Sequence, residues 1–332
     1  MLRCNRSQAC AASVHAVAEA GVAMMSHPVP AHTPQRSSRL KLGTVRTAFA
    51  VGGRLMPQRT VRQAARLFST PFASSRIRAQ AALADGSMRR GDMLIDGRRI
   101  ATYLWGDPYS QPYALMAHGW SSFGLRFQPW VPYLRAMGLA VVAFDQPGHG
   151  LSDGRYCTLP DFVDTASAVG QRFGPAALAV GHSLGAAAVV LAQDLAWRAD
   201  RLILLAPAAD MAAATDRFFR LVRLGVHLRT PFFEWHRQQT GISPQDLQVH
   251  RHLPALGQPG LVVHDMDDCD VPWAEGERCV RHWRDARLLT TQGLGHHHVV
   301  DAPEVIGAAL AFIGGEEIGE RVIGSPNLPF GL

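Results

Sequence analysis

From residue 93 onwards the chain alternates two apolar patterns. Short continuous runs, at Tyr113–Ala117, Leu139–Phe144, Ala177–Val180, Leu202–Ala206 and Leu261–His264, are separated by stretches with helical spacing. Continuous runs of this length predict strands buried on both faces, and their alternation with helices predicts a parallel sheet covered on both sides. Ahead of them, Met93–Ile95 and Arg99–Trp105 flank Asp96-Gly97, the pattern of a hairpin with a tight turn. Helices are expected near 127–137, at 160–172 behind Pro160-Asp161, at 186–192, at 273–284 and at 303–313, with a last strand at 287–291. The pattern is that of an α/β fold, mostly parallel sheet with helices on both faces, over residues 91–315.

Two segments depart from the alternation. Residues 210–254 hold Phe218, Phe219, Phe232, Phe233 and Trp235 among arginines. They read as a helical insertion over the strand ends, a lid whose aromatics favour an apolar acyl group, with Arg217, Arg220, Arg223 and Arg229 at its rim. Residues 40–90 read as a basic helical arm. Leu42, Val45 and Phe49, then Val61, Ala65 and Phe68, recur at helical spacing, with Arg46, Arg54, Arg59, Arg62 and Arg66 between them. Gly52-Gly53 and Pro57 are expected to break it into two pieces. Two partners fit such a stripe: the body of the domain, or an anionic membrane surface touched through residues 40–70. Residues 1–39, rich in Pro, Ser and His from 26 on, read as disordered, with Met24 and Met25 as alternative starts; 316–332 read as an irregular tail.

Charge sharpens this division. Residues 1–84 carry twelve of the 33 basic residues and one of the 27 acidic ones, Glu19, so the rest has a net charge of −5. No basic patch with base-reading groups is seen on the body, which argues against nucleic acid. Five cysteines, Cys4, Cys10, Cys157, Cys269 and Cys279, form no C-x-x-C pair. An odd count of this kind argues against a disulfide framework and a zinc ribbon, and points to reduced thiols in a cytoplasmic compartment, with the arm allowing a peripheral place at the membrane. The apolar stretch 11–25 is interrupted by His15 and Glu19 and is too short and polar to span a bilayer.

The candidate chemistry centres on Gly181-His182-Ser183-Leu184-Gly185, between the run ending at Val180 and the small-residue stretch Ala186–Ala192. Strand, G-x-S-x-G, helix places a serine on a tight turn, with the helix N-terminus aimed at it. A serine hydroxyl needs a neighbouring base to act as a nucleophile. Three further motifs fall at strand ends: His118-Gly119-Trp120, the loop His264–Pro272 and Gly295-His296. Four carboxylates crowd the second of these, Asp265, Asp267, Asp268 and Asp270, and His297 and His298 follow His296. From the residues alone the acid stays open among the four, His297 remains a second candidate base, and the histidine tract a weak candidate metal site.

With these motifs in this order, the chain resembles the α/β-hydrolase superfamily, in particular its serine esterases and lipases, over roughly residues 91–315. The resemblance implies the α/β-hydrolase fold and a catalytic set of Ser183 as nucleophile, His296 as base and Asp268, four residues before Pro272, as acid. It implies an oxyanion hole from the backbone N–H groups of Trp120 and Leu184, with His118, Gly119, Gly181 and Gly185 as structural parts of the motifs. His149 and Asp145, in Asp145–Ser152, are likewise expected to shape a loop. The implied activity is cleavage of carboxylic esters or thioesters through an acyl-enzyme, without cofactor or metal. Acyltransferases, carbon–carbon hydrolases and perhydrolases share this arrangement, and a non-catalytic binding protein on the same fold is the alternative from another class.

Overall fold

The computed structural model describes residues 36–86 and 88–322. Cys4, Cys10, residues 1–35 of the segment 1–39 expected to be disordered, and the tail beyond 322 lie outside the described residues, whereas residues 36–39 begin a helix. Eight strands form one sheet: β1 (Arg89–Ile95), β2 (Arg98–Trp105), β3 (Tyr113–Ala117), β4 (Ala140–Phe144), β5 (Leu178–His182), β6 (Leu202–Leu205), β7 (Gly260–Asp265) and β8 (Ala286–Thr291). Their spatial order is β1-β2-β4-β3-β5-β6-β7-β8. The pairs β1/β2 and β2/β4 are antiparallel and all others parallel. Strands β3 to β7 are buried at every residue, which is why they appear in sequence as unbroken apolar runs. The hairpin turns at Asp96-Gly97, both at positive φ.

Among the described residues eleven α-helices accompany the sheet: α1 (Arg36–Leu55), α2 (Pro57–Phe68), α3 (Ser74–Ala82), α4 (Val131–Ala136), α5 (Leu159–Phe173), α6 (Leu184–Leu191), α7 (Met211–Val222), α8 (Arg229–Thr240), α9 (Trp273–His282), α10 (Gly295–His298) and α11 (Pro303–Ile313). Helices α5, α6 and α9 cover one face, packing on Leu115, Val142 and Phe144. Helices α4 and α11, with Ala79 of α3, cover the other, packing on Met116, Val141 and Ala143. Side chains alternate faces along a strand, so neighbouring residues of one run feed two different cores. The helix expected at 127–137 is shorter, because Pro129 and Pro132 confine Gly124–Trp130 to a 3-10 turn and start α4 afresh. Cys157 and Cys279 are buried free thiols, and Cys269 is exposed.

The arm departs from the sequence reading in one respect. Helix α1 runs through Gly52-Gly53 and ends only before Pro57. These glycines serve close packing: a Cβ on Gly52 would lie 2.8 Å from Thr60 Oγ1, and one on Gly53 3.2 Å from Leu228 Cδ1. The partner of the arm is the insertion between β6 and β7. Phe49, Val61, Ala64 and Ala65 of the arm share a third core with Phe219, Val222, Leu224, Leu228 and Phe232, joined at its edge by Phe68, Phe218, Phe233 and Trp235. The aromatics expected to favour an acyl chain are therefore committed to holding arm and insertion together. Arg46 Nε donates to Leu221 O (2.8 Å) and His227 Nε2 to Gly53 O (3.2 Å) at the same seam. Arg217, expected at a rim, pairs at 2.6 Å with the buried Glu275, whose other oxygen accepts from Ala209 and Asp210 N–H.

Phe232 is fully buried at the centre of this third core, against the rings of Phe68, Phe218, Phe219 and Phe233. Truncating such a side chain costs about 3–5 kcal/mol. Phe232→Ala is expected to lower unfolding stability by that order and to speed tryptic cleavage within residues 42–82, read by urea denaturation and limited proteolysis. An unchanged cleavage rate would mean that something other than this core holds the arm.

Candidate active site

Ser183 joins β5 to α6 at φ 53°, ψ −117°, a backbone conformation unusual for a residue with a side chain. The turn is held from all sides. Ser183 N donates to Leu205 O on β6 (2.9 Å), and its own carbonyl accepts from Ala186, Ala187 and Ala208. No side chain fits at either flanking glycine. A Cβ on Gly181 would lie 2.5 Å from Ala186 Cα, and one on Gly185 2.3 Å from Ala117 O. The tight crossing of α6 over the β3 end thus requires both glycines, and it leaves Ser183 Oγ at the carboxyl edge of the sheet.

His296 reaches this serine from the loop after β8. Its Nε2 lies 2.9 Å from Ser183 Oγ, and its Nδ1 lies 2.7 Å from Asp268 Oδ2. Asp268, in the loop after β7, is wholly buried at its side chain. Its Oδ1 accepts from Asp270 N (2.9 Å) and Val271 N (2.8 Å), while Oδ2 takes His296 and lies 3.3 Å from His264 Nε2. Burial pushes the Asp268 carboxyl up, but the hydrogen bonds from His264 and His296 outweigh it and hold the group well below the usual carboxylate range. A carboxylate with donors on both oxygens fixes the proton of His296 on Nδ1. That leaves the Nε2 lone pair to accept from the Ser183 hydroxyl. His297 turns away: its side chain is 69% exposed and lies 3.5 Å from Asp270.

The loops carrying Asp268 and His296 are stapled to one another. Asp265 Oδ2 accepts from Thr291 Oγ1 (2.7 Å) and Leu294 N (3.1 Å), and Asp267 Oδ2 accepts from Gly293 N (3.1 Å). Asp265 and Asp267 therefore bind loop groups, whereas Asp270 faces His297. Two more residues, which the sequence reading gave no role, hold His296 in place. His182 Nε2 donates to the carbonyl of His296 (2.9 Å), with burial keeping its imidazole neutral. Arg126 donates to His297 O (2.8 Å) and pairs with Asp301 (3.3 Å).

On the other side of Ser183 lies the loop after β3. A Cβ on Gly119 would stand 2.9 Å from Ser183 Cβ, so the Gly119-Trp120 backbone packs directly against the serine. Among the described residues the N–H groups of Trp120 and Leu184 donate to no protein acceptor. The half-buried Trp120 ring stacks on Phe162 at 6.3 Å and meets the edge of His149 at 5.0 Å.

Residues 111–253 match the family model described as serine aminopeptidase, S33. Three solved structures illustrate the likeness. A putative hydrolase from Agrobacterium vitis is 20% identical, with 68% of this chain and 98% of that one covered and a TM-score of 0.54. Est1E from Butyrivibrio proteoclasticus, solved with ferulic acid bound, is 20% identical, with 68% and 100% covered and a TM-score of 0.52. Alpha/beta hydrolase domain-containing protein 10 from mouse is 21% identical, with 68% and 97% covered and a TM-score of 0.52. The chain has the α/β-hydrolase fold.

On this α/β-hydrolase fold the other motif histidines sit apart from the Ser183 hydroxyl. His118 is fully buried, donates from Nδ1 to Gly119 O (2.7 Å) and accepts at Nε2 from Gln146 N (3.0 Å), with burial pulling its pKa down to about 4. His149 donates to Pro147 O (2.9 Å), and burial, then the neighbouring His118, pull it down to about 3. Asp145 accepts from Gly124 N, Leu151 N and Tyr103 Oη at 2.6–2.7 Å. Among the described residues no group of three or more His, Cys, Asp or Glu side chains is placed to hold a metal ion.

The depressed Asp268 carboxyl links stability to pH. A group whose folded pKa lies below its unfolded value of about 3.9 stabilises the fold above that pH and loses the contribution as pH falls towards the folded value. The stability gap between wild type and Asp268→Asn is therefore expected to be widest near neutral pH and to narrow below about pH 4. Urea unfolding from pH 7 to pH 3 measures it, and a gap independent of pH contradicts the assignment.

Proposed function

We propose that the protein is a serine hydrolase that cleaves carboxylic esters or thioesters by acyl transfer to water. The observation that carries this reading is the unbroken relay from buried Asp268 through His296 to Ser183, at 2.7 and 2.9 Å. Ser183 Oγ attacks the substrate carbonyl as His296 Nε2 takes its proton. The Trp120 and Leu184 N–H groups hold the oxyanion, which two backbone donors stabilise without reorganising as charge develops. Asp268 keeps the ring in its tautomer and stabilises the imidazolium. His296 then protonates the leaving alkoxide or thiolate, and water, deprotonated by the same nitrogen, releases the acid. Trp120, next to the glycine that touches Ser183, favours an apolar acyl group.

The arm supports a second element of the proposal, peripheral contact with an anionic bilayer through residues 40–70. No acidic residue occurs between Glu19 and Asp85. Val51, Leu55, Met56 and Leu67 are exposed among Arg54, Arg59, Arg62 and Arg66. A groove of about 390 Å³ between α1 and α2 is lined by Val45, Ala48, Phe49 and Leu67, with Tyr156 beside it. Exposed apolar side chains interleaved with uncompensated arginines complement a surface of acyl chains and anionic headgroups, each arginine contributing about 1 kcal/mol. Among the described residues no helix is long and apolar enough to cross a membrane.

Wild type is expected to hydrolyse p-nitrophenyl esters and to be labelled at Ser183 by a fluorophosphonate. Ser183→Ala should lose the labelling and kcat on the order of 10⁶-fold. Absence of labelling in folded wild type would falsify the serine mechanism. Faster turnover of aminoacyl p-nitroanilides would replace the ester reading by a peptidase one, and transfer to an added alcohol outrunning acid release would make the protein an acyltransferase. For the membrane contact, replacing Arg54, Arg59, Arg62 and Arg66 with glutamine should abolish cosedimentation with phosphatidylserine vesicles; binding unaffected by the replacement excludes this face.

A further inference from the structure

Helix α3 touches the sheet core through Ala79, and it also grips the loop beside Ser183. Ser121, the residue after Trp120, adopts φ 53°. A side-chain-bearing residue keeps such a conformation only where its surroundings hold it. The arm supplies two of those holds. Phe72 N donates to Ser121 Oγ at 2.9 Å, and Arg78 Nη2 donates to Ser121 O at 2.7 Å. The Arg78 guanidinium also lies 5.5 Å from the centre of the buried Phe123 ring. Two residues earlier, Arg76 donates to the carbonyls of Gly148, Gly150, Ser152 and Gly154 at 2.9–3.3 Å. That second loop carries His149, whose ring meets Trp120. Both loops around Trp120 are thus tied to one short helix of the arm.

We propose that Arg78 is a positioning residue for the oxyanion donor of Trp120, an inference that rests on the acyl-transfer reading above. The direction of the Trp120 N–H depends on the peptide planes on either side of it. The Ser121 carbonyl and hydroxyl, both held by the arm, fix the C-terminal side, and contact of Gly119 with Ser183 fixes the other. Without Arg78, Ser121 is released towards negative φ, and the Trp120 peptide turns with it. Arginine suits the task because its planar fork can donate while lying against an aromatic ring; lysine retains the charge, but its donors sit on a single nitrogen with no planar face.

The test compares Arg78→Ala and Arg78→Lys in the full chain, with Gln80→Ala as a control on the same helix. Three readouts are taken: kcat and KM on a p-nitrophenyl ester, fluorophosphonate labelling at Ser183, and amide hydrogen exchange over residues 118–125. A displacement of about 1 Å in a stabilising group costs on the order of 10²-fold in rate. Arg78→Ala is expected to lower kcat about ten- to a hundredfold with KM within about twofold, and to speed exchange at 119–122 about tenfold; lysine restores part of both. Gln80→Ala changes neither. Unchanged kcat, or unchanged exchange, in a labelled and active Arg78→Ala overturns the proposal alone. A wild type that is not labelled overturns the acyl-transfer reading and the positioning role together. If Arg78→Ala does not fold, Ser121→Ala removes the hydroxyl held by Phe72, and the same readouts then decide.

Discussion

Ser183 is held at φ 53°, ψ −117°, and much of the surrounding architecture exists to hold it there. Conformations of this kind cost on the order of 1–3 kcal/mol and persist only where the rest of the structure over-determines them. Here the over-determination comes from the sheet itself. The register that pairs His182 with Leu205 brings β6 to the Ser183 N–H, and the β3 end supplies the carbonyl surface against which Gly185 lies. The strain is small beside the burial of five adjacent strands, so the turn is stable although no local preference favours it. The return on that arrangement is a hydroxyl lifted clear of its own strand, within reach of loops from three others.

Those loops meet because buried polar groups tie them together. Burying a carboxylate is costly unless its oxygens are satisfied, and Asp268 has donors on both. Asp265 and Asp267 do the same work for the Thr291–Leu294 segment. His182 then closes the ring by holding the carbonyl of the very residue whose side chain faces Ser183. The crowding of carboxylates in one loop, ambiguous as a list of candidates, is a division of labour in space: one aspartate meets the imidazole, two bind loop groups, and one faces solvent.

What could be read in the sequence follows from how local each signal is. The central strands were legible because burial on both faces removes polar positions from Ala140–Phe144 or Leu178–Val180. The elbow was legible because two close backbone contacts, at residues 181 and 185, leave glycine as the fitting residue. His296, rather than His297, needed resemblance, since three successive histidines differ only in the direction in which a short helix points them. Arg126, Arg78 and Arg76 were not legible at all. Each works by donating to main-chain carbonyls, and a carbonyl leaves no mark in the sequence of its partner. The aromatic insertion misled for a related reason: Phe218, Phe219 and Phe232 are apolar whether they meet a substrate or the arm, and it is the arm that they meet.

The hydrogen bonds of α3 also change where the functional unit begins. The match to the family model starts at residue 111 and the sheet at residue 89, so either would suggest trimming everything ahead of it. A protein cut just ahead of the sheet would keep every strand and all three side chains of the relay. It would strand four carbonyls now shared by one guanidinium, uncover Leu228 and Phe232, and leave Ser121 in a conformation with two fewer supports. The recognisable domain is complete as a fold, while the arm ahead of it is a working part that fold recognition alone would discard.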